Sequence, residues 1–249
     1  MASNPMQRCC VVGVKHEGTA KGEIKKISDF RTYFMYPENK STQNAILILT
    51  DIMGIDSINV QLIADQFAAN GYFVVIPDLF DGNVVPLNPP ADFDIMKWIS
   101  TELPNRDVVD RKIEDTIKEM RGSLGVNKIG GVGYCFGGKY VCRHLKAGKL
   151  DAGFTAHPSF VDADELEGIQ GPLSIAAAET DEIFPASKRH ESEAILEKKD
   201  VPWQINLFSD VFHGFAVRSD LSKPREKFAK EQAFMQAVHW FDEHVKSSR

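Results

Sequence analysis

The chain has 249 residues, a formal net charge of -6 and 43% hydrophobic residues. A chain of this length suffices for one α/β domain and would bury roughly 70–75% of the surface that its unfolded form exposes. The acidic balance argues against nucleic acid or an anionic membrane as a partner, because both reward clustered Lys and Arg.

Two short segments near the start, Glu23–Ile27 and Thr32–Tyr36, have strand character. Ala45–Thr50 (AILILT) is apolar on both faces, as a buried parallel strand is. Ile58–Asn70 carries Ile58, Leu62, Ile63 and Phe67 at helical spacing, and Gly71 ends it as a C-cap glycine does. Tyr72–Ile76 is a further strand, stopped by Pro77. Gly82–Asp92, with Pro86, Pro89 and Pro90, reads as an irregular loop.

Asp107–Leu124 is predicted as a helix with Val109, Ile113, Ile117 and Met120 inward. Lys128–Gly133 is a predicted strand and Phe136–Lys146 a predicted helix. Ala152–Ala156, Leu173–Ala177 and Trp203–Phe208 are predicted strands, and Ala186–Lys199 is a charged surface helix. Pro224–Val245 is a long terminal helix with Phe228, Phe234, Met235, Val238 and Phe241 as its apolar stripe. Strands alternating with helices from Ala45 onward imply a mostly parallel sheet covered on both faces, the α/β class.

The four cysteines are Cys9, Cys10, Cys135 and Cys142, with no CxxC among them. The first residues lack the apolar run of a secretion signal, and no stretch reaches the roughly 20 apolar residues of a membrane helix. A cytoplasmic protein with reduced thiols is expected. No metal-ligand pair such as HExxH and no phosphate loop occurs, so neither metal nor cofactor is expected. Oligomeric state is not legible in one chain.

The chemistry concentrates in Gly133-Tyr134-Cys135-Phe136-Gly137-Gly138, between a predicted strand and a predicted helix. Gly-x-Cys-x-Gly in that setting is the nucleophile-elbow pattern, with Cys where Ser is commoner. The glycines keep side chains out of the sharp turn. The nucleophile then sits at a helix N-terminus, where the dipole favours a thiolate. The N–H of Phe136 would point toward the oxyanion that forms on attack. The plain alternative is a buried structural cysteine in a glycine-rich turn, and Cys142 reads as a small core residue.

An acid and a histidine should follow in that order. Asp181 comes just past a predicted strand, with Glu179 and Glu182 as competing carboxylates and a capping role as the structural alternative. His213 follows the last predicted strand, next to Gly214. His157, also at a strand end, is the rival base, while His144, His190, His239 and His244 fall on predicted helices.

These segments together resemble the dienelactone hydrolase (carboxymethylenebutenolidase) family, and its eukaryotic, fungal-like branch in particular. The elbow resembles the family's own, as do Asp51-Ile52-Met53-Gly54 and the stretch from Gly71-Tyr72 through Pro77-Asp78-Leu79-Phe80. The likeness runs from about Arg31 to His244. It implies an α/β-hydrolase fold over residues 1–249, with 1–30 as an extension packed on it. It implies attack by Cys135 on an ester or lactone carbonyl, His213 as base and Asp181 as its orienting acid. Phe136 and Ile52 would supply the oxyanion hole, and Asp51 would activate the thiol, standing where the family has Glu.

For the substrate, Arg218 would bind a carboxylate, though it follows His213 by five residues where the family spaces four. Lys97 is a loose substitute for a second arginine that the loop after Asp78 lacks. Tyr134, Phe80, Trp98 and Phe215, with Phe93 and Phe160, would line the pocket. The expected partner is a small ester or lactone. The alternatives are a thioesterase or general carboxylesterase, a non-catalytic binding protein of the same fold, and a redox sensor in which Cys135 is oxidised.

Overall fold

A computed structural model describes residues 2–145 and 149–246. Eight strands form one sheet: β1 (Glu23–Ile27), β2 (Phe30–Met35), β3 (Asn44–Leu49), β4 (Phe73–Pro77), β5 (Lys128–Tyr134), β6 (Ala152–Ala156), β7 (Leu173–Thr180) and β8 (Trp203–Phe212). Their order is β1-β2-β4-β3-β5-β6-β7-β8. The pairs β1–β2 and β2–β4 are antiparallel. From β4 to β8 every neighbouring pair is parallel. The sheet is therefore mostly parallel, as the alternation of elements implied, and its architecture is the α/β-hydrolase one that the resemblance implied.

The central strands are apolar on both sides because both sides are covered. On β3, Ala45, Leu47 and Leu49 join one buried cluster with Val109, Ile113 and Val141. Ile46 and Ile48 face the other way, against Val60, Ile63, Phe67 and Phe241. Helix α3 (Arg106–Arg121) and the elbow helix α4 (Phe136–His144) thus cover the first face. Helix α1 (Ile58–Ala69) and the terminal helix α8 (Pro224–Phe241) cover the second. Among the described residues no helix is long and apolar enough to cross a membrane.

Three short helices have no counterpart in the sequence pattern: α2 (Ile95–Thr101), α5 (Ala163–Glu167) and α7 (Phe215–Arg218). Each spans two turns or fewer, too few for an apolar period to register. α6 (Ala186–Leu196) and α3 end earlier than their charged tails suggest. Lys146, the expected end of α4, lies outside the described residues. The stripe expected on α8 is corrected in part. Val238 and Phe241 are buried, but Phe228 is exposed and Met235 faces solvent, while Ala229, Ala233 and Ala237 pack inward. Phe228 and Met235 fall on the helix face roughly opposite Ala233 and Ala237, so packing these small residues against the sheet turns the two large ones to solvent.

The N-terminal segment lies across the ends of the parallel strands. Ser3 N–H donates to Val161 O, Asn4 N–H to Ile183 O, and Val14 N–H to Arg218 O. Arg8–Val11 forms one 3-10 turn, burying Cys10 and Val11.

Candidate active site

Cys135 sits between β5 and α4 as the residue preceding the first helical turn, at φ 50° and ψ −110°. A non-glycine residue in this region carries strain, and the surroundings fix it there. Cys135 N–H donates to Ala156 O at 3.2 Å, and its carbonyl accepts from Gly138 and Ser159 N–H, each at 3.0 Å. The flanking glycines are sterically required. A Cβ on Gly137 would stand 1.9 Å from the carbonyl oxygen of Leu49, and one on Gly133 would stand 2.6 Å from that of Gly137. Among the described residues no hydrogen bond occupies the N–H of Phe136 or of Ile52.

Asp181 follows β7 directly. Its Oδ1 accepts from the N–H of Ile183 at 2.8 Å and of Phe184 at 3.0 Å, a local turn that locks the carboxylate. His213 follows β8, ahead of Gly214 at φ 93°. His213 Nδ1 donates to Asp181 Oδ2 at 2.9 Å and Oδ1 at 3.0 Å, with both side chains fully buried. That contact points Nε2 toward the sulfurs. Nε2 lies 3.4 Å from Cys10 Sγ, and the donor atoms of Cys10, Cys135 and His213 all lie within 4.8 Å of one another. Cys135 Sγ also lies 3.6 Å from Cys10 Sγ and 3.6 Å from Ser159 Oγ.

The electrostatics follow from burial working against charge. Burial opposes ionisation of Cys135, yet the Cys10 hydrogen bond and the positive charges of His213 and Arg218 prevail and hold its thiol well below the ordinary range. Burial likewise opposes a charged His213, but Asp181 and Cys135 raise it to about 10. The pair therefore favours thiolate beside imidazolium. Cys10 is pushed the other way, well above the ordinary thiol range, by its hydrogen bonds to Cys135 and Cys9 and by burial.

Asp51 and Arg218 meet in a buried ion pair, Nη1 to Oδ2 at 2.5 Å. Arg218 Nε also donates to Val12 O at 3.2 Å. Asp51 accepts from Met53 N–H and makes no hydrogen bond with Cys135. Burial raises the pKa of its carboxyl, against the pull of Arg218.

The aromatic residues expected at the pocket divide between the two faces of the sheet. Phe80 packs against Phe136 at 5.2 Å and Trp98 at 6.4 Å, centroid to centroid, in one buried cluster. Tyr134 and Phe215 belong to the other and flank His157 at 6.1 and 5.8 Å. Phe160 is partly buried against the first cluster, as is Phe93. A cavity of about 460 Å³ opens beside His213, walled by Cys9, Val12, Gly13, Phe215 and Arg218. A larger one, about 750 Å³, lies off the β1–β2 edge by Lys21, Tyr36 and Asp65, and no cysteine, serine or histidine lines its described wall.

The rival base is set apart. The His157 ring packs edge-on to His213 at 5.0 Å, and among the described residues neither of its nitrogens has a hydrogen-bond partner. Burial, then the charges of His213 and Arg218, hold its pKa well below the ordinary value, so it stays neutral. Glu179 accepts from Asp210 N–H, away from the histidines. Sequence reasoning missed Ser159 and Cys10. Ser159 carries no motif. The Cys9-Cys10 pair was visible, but nothing local ties it to a residue 125 positions away.

Comparison with known proteins identifies the family. The profile of the dienelactone hydrolase family matches residues 30–245. The chain is 55% identical over 246 residues to the hydrolase pyvD of Aspergillus violaceofuscus, covering 99% of this chain and 100% of that one. It is 53% identical over 254 residues to the hydrolase tropI of Talaromyces stipitatus, covering 99% of each. Among solved structures, a putative dienelactone hydrolase from Klebsiella pneumoniae superposes with TM-score 0.74 at 15% identity, covering 90% of this chain and 99% of that one. The fold, the matched profile and these relatives together lead to one conclusion: the chain belongs to the dienelactone hydrolase family and is a hydrolase of esters or lactones.

Proposed function

We propose that the protein cleaves a lactone or activated ester through a thioester acyl-enzyme, with Cys135 as nucleophile, His213 as base and acid, and Asp181 as the group that orients His213. The observation that carries this reading is the buried contact of His213 Nδ1 with both Asp181 oxygens, which turns Nε2 to the sulfur at the elbow. In the first half, the thiolate adds to the carbonyl carbon. Collapse of the tetrahedral oxyanion expels the alkoxide, which takes the proton from Nε2. In the second, Nε2 removes a proton from water as it adds to the thioester, and Cys135 leaves as thiolate. The unengaged N–H groups of Phe136 and Ile52 suit the oxyanion in both halves.

Asp51 acts on the thiol at one remove in this reading. It holds Arg218, whose charge favours the thiolate. A small-molecule substrate approaches through the cavity beside His213, with Arg218 and Phe215 in its wall. Tyr134, Phe80 and Trp98 shape the site from the core. A cytosolic setting belongs to the same reading, since the nucleophile must stay reduced.

One observation favours a second reading, a thioesterase or general carboxylesterase for acyl groups without a carboxylate. Asp51 already neutralises Arg218 inside the protein. The test compares wild type with Cys135→Ala on p-nitrophenyl acetate, a simple thioester and a dienelactone, with intact-mass detection of the acyl adduct. Hydrolysis and an adduct in wild type alone support the mechanism, and equal rates in both proteins overturn it. A dienelactone preference favours the first reading, and indifference to the carboxylate favours the second.

A further inference from the structure

Cys10, Cys135 and His213 are the group of three among the described residues whose donor atoms lie close enough together to hold one metal ion. Cys10 comes from the N-terminal segment, outside the residues that the family profile matches. We infer that Cys10 Sγ, Cys135 Sγ and His213 Nε2 form a three-ligand site for a thiophilic divalent cation of the zinc type, and that an ion bound there silences the hydrolase.

The geometry carries the argument. Tetrahedral zinc has Zn–S near ~2.3 Å and Zn–N near ~2.0 Å, so its S···S and S···N edges are about 3.8 and about 3.5 Å. The sulfurs of Cys10 and Cys135 already stand 3.6 Å apart, and Cys10 Sγ stands 3.4 Å from Nε2. The remaining edge, Cys135 to His213, falls within 4.8 Å. Two edges of the coordination polyhedron thus exist before any ion arrives.

The surroundings fit as well. A metal-binding imidazole needs its other nitrogen held by an acceptor, and Nδ1 donates to both oxygens of Asp181. Two thiolates balance a dication in a site where all three ligands are buried. Two sulfurs select soft or borderline cations and reject magnesium and calcium. The fourth position falls to water or an anion reaching the site from the cavity beside His213.

Binding balances simply. The dication takes the existing Cys135 thiolate and displaces one proton from the Cys10 thiol and one from Nε2 of the His213 imidazolium, both of which pass to solvent. Those two groups at Cys135 and His213 are the ones that hydrolysis uses, so metal and substrate compete. The coordination itself does not depend on Cys135 being a nucleophile.

Cobalt(II) is the probe. Reduced, chelator-treated protein titrated with Co²⁺ should develop thiolate-to-cobalt charge-transfer absorption and tetrahedral d–d bands, saturating at one equivalent and displaced by zinc. Folded Cys10→Ala should lose the spectrum, and Cys9→Ala should keep it. On wild type, zinc should shield Cys135 from iodoacetamide while Cys9 still reacts, and should abolish ester hydrolysis until a chelator is added. The inference fails if wild type gives no charge-transfer band at one equivalent, if Cys10→Ala binds as wild type does, or if zinc leaves Cys135 as reactive as before. A failure of the acyl-enzyme mechanism would appear instead as hydrolysis persisting in Cys135→Ala.

Discussion

Asp51 and Arg218, 167 residues apart in the chain, meet as a buried ion pair at 2.5 Å. Each leaves the other nearly inaccessible to solvent, and together they tie the loop after β3 to α7. Removing one partner of such a pair strands a buried charge, at a cost of about 3 kcal/mol or more. Asp51→Asn should therefore lower stability by about that amount in urea denaturation. The double variant Asp51→Leu with Arg218→Met should recover most of the loss. Equal instability of single and double variants would mean that the charge is not what the pair contributes.

Iodoacetamide should label Cys135 with an unusual pH profile. An ordinary thiol, with a pKa of about 8.5, reacts about tenfold faster per pH unit below that value. The Cys135 thiol is held well below the usual range, so the thiolate is favoured already at neutral pH. Its labelling rate should stay flat from neutral pH up to about 10, where His213 loses its proton and the ion pair dissolves. A steady tenfold rise per unit through neutral pH, read by peptide mass mapping, would contradict the thiolate–imidazolium assignment.

His157 offers a separable test of which histidine matters. Both of its ring nitrogens are buried without partners among the described residues, so an apolar ring should be tolerated there. His157→Phe should match or exceed wild type in stability and keep ester hydrolysis. The variant should also flatten the acid limb of stability. The folded-state pKa of His157 lies well below the ordinary value, so below about 6.5 the unfolded chain binds a proton that the folded one does not. Stability then falls with decreasing pH by about 1.4 kcal/mol per unit from this group alone. The difference in unfolding free energy between variant and wild type should accordingly widen as pH drops below about 6.5. Loss of hydrolysis with stability intact would instead give His157 a role in the chemistry.

Gly137→Ala should be poorly tolerated. The new methyl would meet the Leu49 carbonyl at 1.9 Å, and backbone on both sides cannot yield as a flexible side chain can. A loss of about 3 kcal/mol is expected, with ester hydrolysis falling more than the folded fraction because the elbow itself must shift. Gly125→Ala, where no atom lies within 4 Å of the added methyl, is the control for the mutation type, though its positive φ adds strain.

Local features of the chain were legible without the structure. Strands β3 to β8, the long helices and the elbow from Gly133 to Gly138 each follow from residues adjacent in sequence: apolar period, β-branched runs, and glycines around one cysteine. Asp181 and His213 were found by their order after strands, and they do lie together. Tertiary structure alone decided what crosses the molecule. It brought Cys10 against Cys135 and His213, gave Asp51 to Arg218 and left His157 without a partner. It also turned Phe228 to solvent and divided Phe80 and Trp98 from Tyr134 and Phe215 by a sheet. The reason is physical. Backbone propensity and side-chain period act over a few residues, whereas hydrogen bonds and ion pairs between distant segments exist only once the sheet has set where each loop emerges.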